Sequence, residues 1–141
     1  MTVSVLYSRD ILRLACALIP DDRIENLNGT AEARSPACGS RILAEVALNA
    51  EACITEIAFR ASACALGQAS AAVVRANAAG HSHASITDIR GSLADCLQNN
   101  AAAPAIWPQL ALFESARDFP GRHAAILLPY DALLLAIEQA S

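Results

Sequence analysis

The spacing of the hydrophobic residues changes once along this chain, at Cys64. Before it, apolar residues alternate from Ile42 to Leu48 and from Cys53 to Arg60, and more weakly from Thr30 to Ser35, so three strands are predicted there. After it, apolar residues recur from Leu66 to Ala76 at the spacing of one helix face. Because strands come first and helices follow, the sequence predicts an α+β domain, with helices packed on one face of a three-stranded sheet.

The ends of the other elements follow from capping and turn residues. Ser8 is predicted to cap a first helix that ends at Pro20, Ser85 to cap a later helix, and Pro129 to open the last one. The connections between the strands are short, so consecutive strands should pair as an antiparallel meander. In such a meander the ends of the first and third strands lie at the same edge. A length of 141 residues suits a single domain over residues 1–141.

Charge and composition exclude several classes of protein. The net charge is −4 and no basic patch occurs, which argues against a nucleic-acid partner. All ten basic residues are Arg, so a Schiff-base or P-loop lysine is excluded. The apolar stretches are too short to cross a membrane, and the first residues lack the pattern of a secretory leader. We therefore expect a cytoplasmic protein without a membrane partner.

Five cysteines are present, an odd number that argues against full disulfide pairing. Cys16, Cys53 and Cys96 lie in apolar patterns and are expected to be small buried hydrophobes. Cys38 lies in a Pro/Gly turn, and Cys64 lies where a strand gives way to a helix, whose free N–H groups favour a thiolate. Both positions suit soft-metal or sulfur chemistry. Cys38 and Cys64 do not form a CxxC pair, so their spacing alone is weak evidence for a metal site. The alternative is that both cysteines are structural.

Four segments, in order, resemble the NifU/IscU-type iron–sulfur cluster scaffold family, nearest to its SufU-like branch. Residues 6–12 are similar to the family's opening, and residues 35–39 resemble its Asn-Pro-x-Cys-Gly-Asp turn. Residues 59–70 resemble its Phe-x-Gly-x-Gly-Cys-x-x-Ser-x-Ala-Ser segment. Residues 119–130 resemble its Tyr-Pro-x-Arg-x-x-Cys-x-x-Leu-Pro-Trp segment. The resemblance implies a small antiparallel sheet with packed helices, in agreement with the periodicity.

The resemblance also implies a ligand set of three cysteines and one aspartate around a cluster or zinc. Cys38 and Cys64 carry over, whereas Ser40 stands in place of the aspartate and Ala125 in place of the third cysteine. His123 precedes Ala125 by two residues, so in an extended segment its imidazole would point the same way and could act as a third metal ligand.

A second histidine pair, His81 and His83, flanks a glycine turn. It could bind metal adventitiously, but a solvated loop is the simpler interpretation.

Three functions remain open. The first is a non-enzymatic scaffold or acceptor of sulfur and iron that binds iron, zinc or a nascent iron–sulfur cluster through Cys38 and Cys64. Its partners would be a cysteine desulfurase and recipient apo-proteins. The second is a degenerate relative that binds the desulfurase or another assembly partner and holds no metal. The third is a sulfurtransferase that carries persulfide on Cys64 or Cys38, whereas no Asn or Asp is placed to support a hydrolytic Cys–His enzyme.

Overall fold

The computed structural model describes residues 7–19, 21–36 and 39–140. A helix comes first, three strands follow, and the remaining elements are helical. The elements are α1 Arg9–Ala17, β1 Gly29–Arg34, β2 Arg41–Leu48, β3 Ile54–Ser62, α2 Ala65–Asn77, α3 His83–Gln98, two 3-10 helices at Pro108–Ala116 and Pro120–Arg122, and α4 His123–Ala140. This arrangement confirms the predicted α+β class.

The three strands form one antiparallel sheet in the order β1-β2-β3, which confirms the predicted meander. Arg41, the first residue of β2, pairs with Arg34 at the end of β1 and with Ser62 at the end of β3. The ends of the first and third strands therefore lie at the same edge of the sheet. The loop after β1 and the β3–α2 junction, which hold the two cysteines of interest in sequence, both start from this edge.

The inner face of the sheet is apolar and is covered by α4 and α2. Ile42, Ala44 and Val46 are fully buried on β2, and Ala44 pairs with the equally buried Phe59 on β3. At Gly29 the strand and α4 approach so closely that a Cβ atom would lie 2.1 Å from the carbonyl oxygen of Ala136. Only glycine fits there, and the sheet and α4 consequently pack backbone against backbone.

The outer face of the sheet is crossed by the connection between α1 and β1. Glu45, buried on β2, accepts a hydrogen bond from the Ile24 N–H at 3.0 Å and pairs with Arg60 at 3.2 Å. Arg60 also donates to the Asp22 carbonyl at 2.8 Å, and the Asp22 carboxylate pairs with Arg75 of α2 at 2.5 Å. This polar network fixes the connection to β2, β3 and α2.

The predicted helix starts are right for α1 and wrong for α3 and α4. Ser8 caps α1 and accepts from the Ile11 N–H at 3.3 Å, as predicted. At α3 the cap is Ser82, three residues before the predicted Ser85, whose own hydroxyl contacts His81 Nδ1 at 2.7 Å.

Helix α4 begins at His123, six residues before the predicted Pro129, because the 3-10 turn before it runs directly into the helix. Pro129 therefore lies inside α4, where it lacks the N–H that would bond to the preceding turn. Next to this gap, the Ser70 hydroxyl of α2 donates to the Ile126 carbonyl at 2.5 Å. Although α4 has 18 residues, no helix within the described ranges is both long and apolar enough to cross a membrane.

Candidate functional site

Cys64 is the N-cap residue of α2 and lies directly after β3. Its side chain makes no capping hydrogen bond, and its carbonyl accepts the first helical bond, from the Gln68 N–H at 3.0 Å. The Gln68 side chain reaches back to the Ala63 carbonyl at 2.8 Å and fixes the junction between strand and helix. The half-buried thiol therefore lies at a helix N-terminus and makes no hydrogen bond that caps the helix. This position agrees with the change from strand to helix spacing at Cys64 in the sequence.

A pocket of about 260 Å³ opens beside this thiol. It is lined by Gly39, Ser40, Ser62, Ala63, Cys64 and Arg122. Gly39 has a φ of 71° and donates its N–H to the Ser35 carbonyl at 2.8 Å, which turns the β1–β2 loop towards Cys64. The structure therefore brings this loop and the start of α2 together at one edge. Cys38 itself lies outside the described residues.

The chemistry of this pocket suits an anion better than a metal cation. Beside the thiol it is lined by the exposed hydroxyl of Ser62 and the guanidinium of Arg122, and it adjoins the N-terminus of α2. Hydroxyls, guanidinium and N–H groups all donate to anions. Within the ranges that the structure describes, no three His, Cys, Asp or Glu side chains lie close enough together to hold a metal.

Ala125, which occupies the position of the family's third cysteine, is buried against the first turn of α2. A Cβ atom at Gly67 would lie 3.4 Å from the Ala125 carbonyl oxygen and 3.9 Å from its Cβ. Gly67 is only three residues after Cys64. Position 125 therefore lies near the start of α2, as the resemblance implies, but it contributes a methyl group and no ligand.

His123 has a different setting from the one that the sequence predicts. Residues 123–125 are helical, so side chains two positions apart point in different directions, and the assumption of an extended segment is wrong. The imidazole is 7% exposed and its Nε2 donates to the Ala116 carbonyl at 2.8 Å. It lines a second cavity together with Ser35 and Pro36, whereas Arg122 lines the pocket of Cys64.

His81 and His83 are both engaged within the protein. His81 Nδ1 lies 2.7 Å from the Ser85 hydroxyl, and the Trp107 indole N–H donates to His81 Nε2 at 3.4 Å. His83 pairs with Glu138 at 2.8 Å. The prediction of a solvated loop is wrong for His83, which is the first residue of α3, whereas His81 lies in the turn between α2 and α3, is partly exposed and links that turn to the 3-10 helix.

Two of the remaining cysteines also differ from prediction. Cys96 is fully buried as expected, and burial raises the pKa of its thiol while the Arg117 guanidinium partly offsets that shift. Cys16 is exposed and Cys53 only half-buried, so neither is the buried hydrophobe that the sequence predicts. Arg122 is not among the site residues predicted from the sequence, although it matches the arginine of the family's Tyr-Pro-x-Arg segment, and that match is the signal that could have identified it.

Comparisons with known proteins agree with the fold. Residues 19–125 match the model of the NifU-like N-terminal domain. The crystal structure of a nitrogen-fixing NifU-like protein (N-terminal) from Brucella abortus is similar, with a TM-score of 0.90 and 29% sequence identity over 98% of this chain and 96% of that chain.

Two more distant structures share the fold. One is a putative iron–sulfur cluster assembly scaffold protein for the SUF system from Fervidobacterium islandicum AW-1, with a TM-score of 0.81 and 18% identity over 96% of this chain and 99% of that chain. The other is a hypothetical protein with a TM-score of 0.81 and 21% identity over 96% and 98% of the two chains. A comparison with curated protein sequences gives no significant match.

Proposed function

Because this chain belongs to the NifU-like N-terminal domain family, we propose that it serves iron–sulfur cluster assembly by accepting sulfur at Cys64, with Cys38 as a second thiol. NifU-like scaffold proteins are generally carriers and not enzymes, and we assign this chain the same general role. The observation that supports the proposal most strongly is the open pocket that Cys64 lines together with Arg122 and the exposed Ser62.

Sulfur acceptance fits this pocket better than stable binding of a cluster or of zinc. A tetrahedral metal site needs four ligands, and thiolate, imidazole or carboxylate groups usually supply them. Ser40 and Ala125 stand where the family has an aspartate and a cysteine. A guanidinium repels a metal cation but stabilises a negatively charged sulfur. Iron or a nascent cluster on Cys38 and Cys64 would therefore need further ligands from a partner.

The proposed transfer is an exchange between sulfur atoms. The Cys64 thiolate attacks the outer sulfur of a persulfide on a cysteine desulfurase and forms a new S–S bond as the donor's S–S bond breaks. The desulfurase cysteine leaves as a thiolate, and the proton of the donor persulfide stays with the transferred sulfur. No external oxidant or reductant is consumed. The same exchange would then pass the sulfur to Cys38 or to a recipient apo-protein.

Mass spectrometry after incubation with a cysteine desulfurase and free cysteine tests the proposal. We expect one added sulfur atom on the peptide that contains Cys64 and none in the Cys64→Ala variant. Cys16→Ala is the matched control, because it removes an exposed cysteine away from the pocket and should leave the labelling intact. Equal labelling of Cys16 and Cys64, or no sulfur on Cys64, would contradict the proposal.

The replacements at Ser40 and Ala125 favour a second candidate, a relative that binds an assembly partner and carries neither sulfur nor metal. The two candidates differ in what the thiols contribute. Under the second, a variant with both Cys38→Ala and Cys64→Ala should bind the desulfurase as tightly as the native chain, and neither protein should acquire sulfur. Sulfur on Cys64 would eliminate this candidate.

The cytoplasmic location predicted from the sequence is part of the proposal. A thiol that accepts sulfur must stay reduced between cycles, and a reducing compartment maintains it in that state. Cys16, Cys53, Cys64 and Cys96 are all free thiols, which is consistent with such a compartment.

A further inference from the structure

A second cavity, of about 500 Å³, lies on the other side of the β1–β2 loop from Cys64. Ser35 and Pro36 form one wall of it, α3 another, and the first turns of α4 the floor. We call it the α3–α4 cavity. Among the described residues it shares no lining side chain with the pocket of Cys64, so binding of a ligand here can be tested apart from the sulfur chemistry proposed above.

The wall of the α3–α4 cavity contains a polar group without a partner. Ser35 is 4% exposed, and its hydroxyl oxygen makes no hydrogen bond with any residue in the part of the chain that the structure describes. A buried hydroxyl left in this state is costly, on the order of 1–3 kcal/mol. Because no described residue supplies a partner for the Ser35 hydroxyl, a ligand in the cavity is the group that could supply one, after a rotation of the short side chain about χ1.

The guanidinium groups at the cavity have N–H donors that a further acceptor could use. Arg34 and Arg90 line it, and each is paired with one carboxylate: Arg34 Nε with Glu32 at 2.6 Å, and Arg90 with Asp131, which also lines the cavity. Arg90 holds Asp131 through Nε at 2.6 Å and through Nη2 at 3.5 Å, but a guanidinium has five N–H donors and is not saturated by this pair. The cavity also adjoins the start of α4, an 18-residue helix whose N-terminus carries a partial positive charge.

The floor of the cavity is apolar. Leu127 and Leu128 of α4 are nearly buried and line it, with Ala124 one turn before them. His123 beside them keeps a fixed orientation, because its Nε2 is bonded to the Ala116 carbonyl. An apolar surface with a few convergent polar groups is the usual composition of a small-molecule site.

We propose that the α3–α4 cavity binds a small carboxylate with a short apolar body. The carboxylate would accept hydrogen bonds from the Ser35 hydroxyl and the Arg90 guanidinium, and the apolar body would lie on Leu127 and Leu128. A charged acceptor is the group that best compensates a buried hydroxyl beside two arginines.

Titration of the full-length protein with hexanoate, followed by amide NMR shifts, tests this site. We expect saturable shifts around Ser35 and Leu128 with a Kd of the order of 1 mM, and binding about tenfold weaker for hexanol, which has the same apolar body without the charge. Absence of saturable shifts with hexanoate up to about 20 mM, or equal binding of hexanol, would overturn the proposal.

Two serine variants make the test specific. Ser35→Ala should weaken hexanoate binding by about tenfold, because a hydrogen bond to a charged group is lost. Ser62→Ala removes a hydroxyl from the pocket of Cys64 and should leave binding unchanged. Unchanged binding in Ser35→Ala, or equal weakening in both variants, would contradict the assigned site. Sulfur labelling of Cys64 is measured separately, so failure here and failure of the proposed function are distinguishable.

Discussion

Two neighbouring regions of this protein, the interface of α4 and the pocket of Cys64, are built in opposite ways. The interface packs α4 against β1 and α2 so closely that Gly29 and Gly67 have backbone atoms of α4 within reach of a Cβ position. The pocket, at the start of the same α2, is open and polar, and it holds one thiol among the described residues that line it. The two regions meet at Ala63, which lines the pocket and whose Cβ lies 3.0 Å from a Cβ position on Gly67, so close packing and an open polar pocket adjoin at the start of one helix.

A Gly→Ala substitution in each of the two regions should give the largest difference in the free energy of unfolding. Gly29→Ala places a Cβ 2.1 Å from the Ala136 carbonyl oxygen, so α4 must move, and we expect a loss of about 3 kcal/mol in the free energy of unfolding. Gly121→Ala, beside Arg122 at the edge of the pocket, meets no atom within 4 Å and should change it by less than about 0.5 kcal/mol. Urea denaturation measures both, and equal losses would show that the two regions do not differ in packing.

Removal of one hydroxyl from each region should give a smaller difference in the free energy of unfolding. Ser70→Ala deletes the buried hydrogen bond to the Ile126 carbonyl, and we expect a loss of about 1.5 kcal/mol. Ser62→Ala affects an exposed hydroxyl at the rim of the pocket and should cost less than about 0.5 kcal/mol. If chemical denaturation gave Ser62→Ala the greater loss, the hydroxyls of the pocket would be structural and not available to a ligand.

High pH should weaken the interface of α4 through Tyr130. Burial raises the pKa of this hydroxyl above its ordinary value of 10.0, and the Ser70 side chain offsets part of the shift. Above pH 10 the unfolded chain therefore releases a proton that the folded chain retains, and the free energy of unfolding falls as the pH rises. Tyr130→Phe lacks this group and should lose less stability between pH 8 and about pH 11. Parallel pH curves for the two proteins would show that Tyr130 does not titrate differently on folding.

Most of the fold could be predicted from the sequence, because it depends on local periodicity. The alternation in Ile42–Leu48 and the helical spacing after Cys64 are both consequences of which side chains face the core. The start of α4 could not be predicted in this way. Pro129 has the properties of a first helical residue, but the 3-10 turn at Pro120–Arg122 begins the helix earlier, and the contact with Ser70 of α2 supports it there. Such a contact joins residues 56 positions apart and leaves no local pattern.

The site was only partly predictable for a related reason. The place of Cys64 follows from the junction of strand and helix, which the sequence shows directly. The role of His123 depends on whether its segment is extended or helical, and on a carbonyl at Ala116 that accepts its Nε2 proton. Arg122 enters the pocket because tertiary packing places the 3-10 turn beside α2. These relations arise from the three-dimensional arrangement, and no spacing along the chain encodes them.

We propose, as the central claim, that this chain retains the fold of the NifU-like N-terminal domain without a complete set of metal ligands. Metal analysis of protein purified without chelator or nickel affinity tests it most directly. We predict well below one zinc or iron per native chain, and close to one in a variant that combines Ser40→Asp with Ala125→Cys. A native protein that holds one metal per chain and loses it in Cys64→Ala would contradict the account.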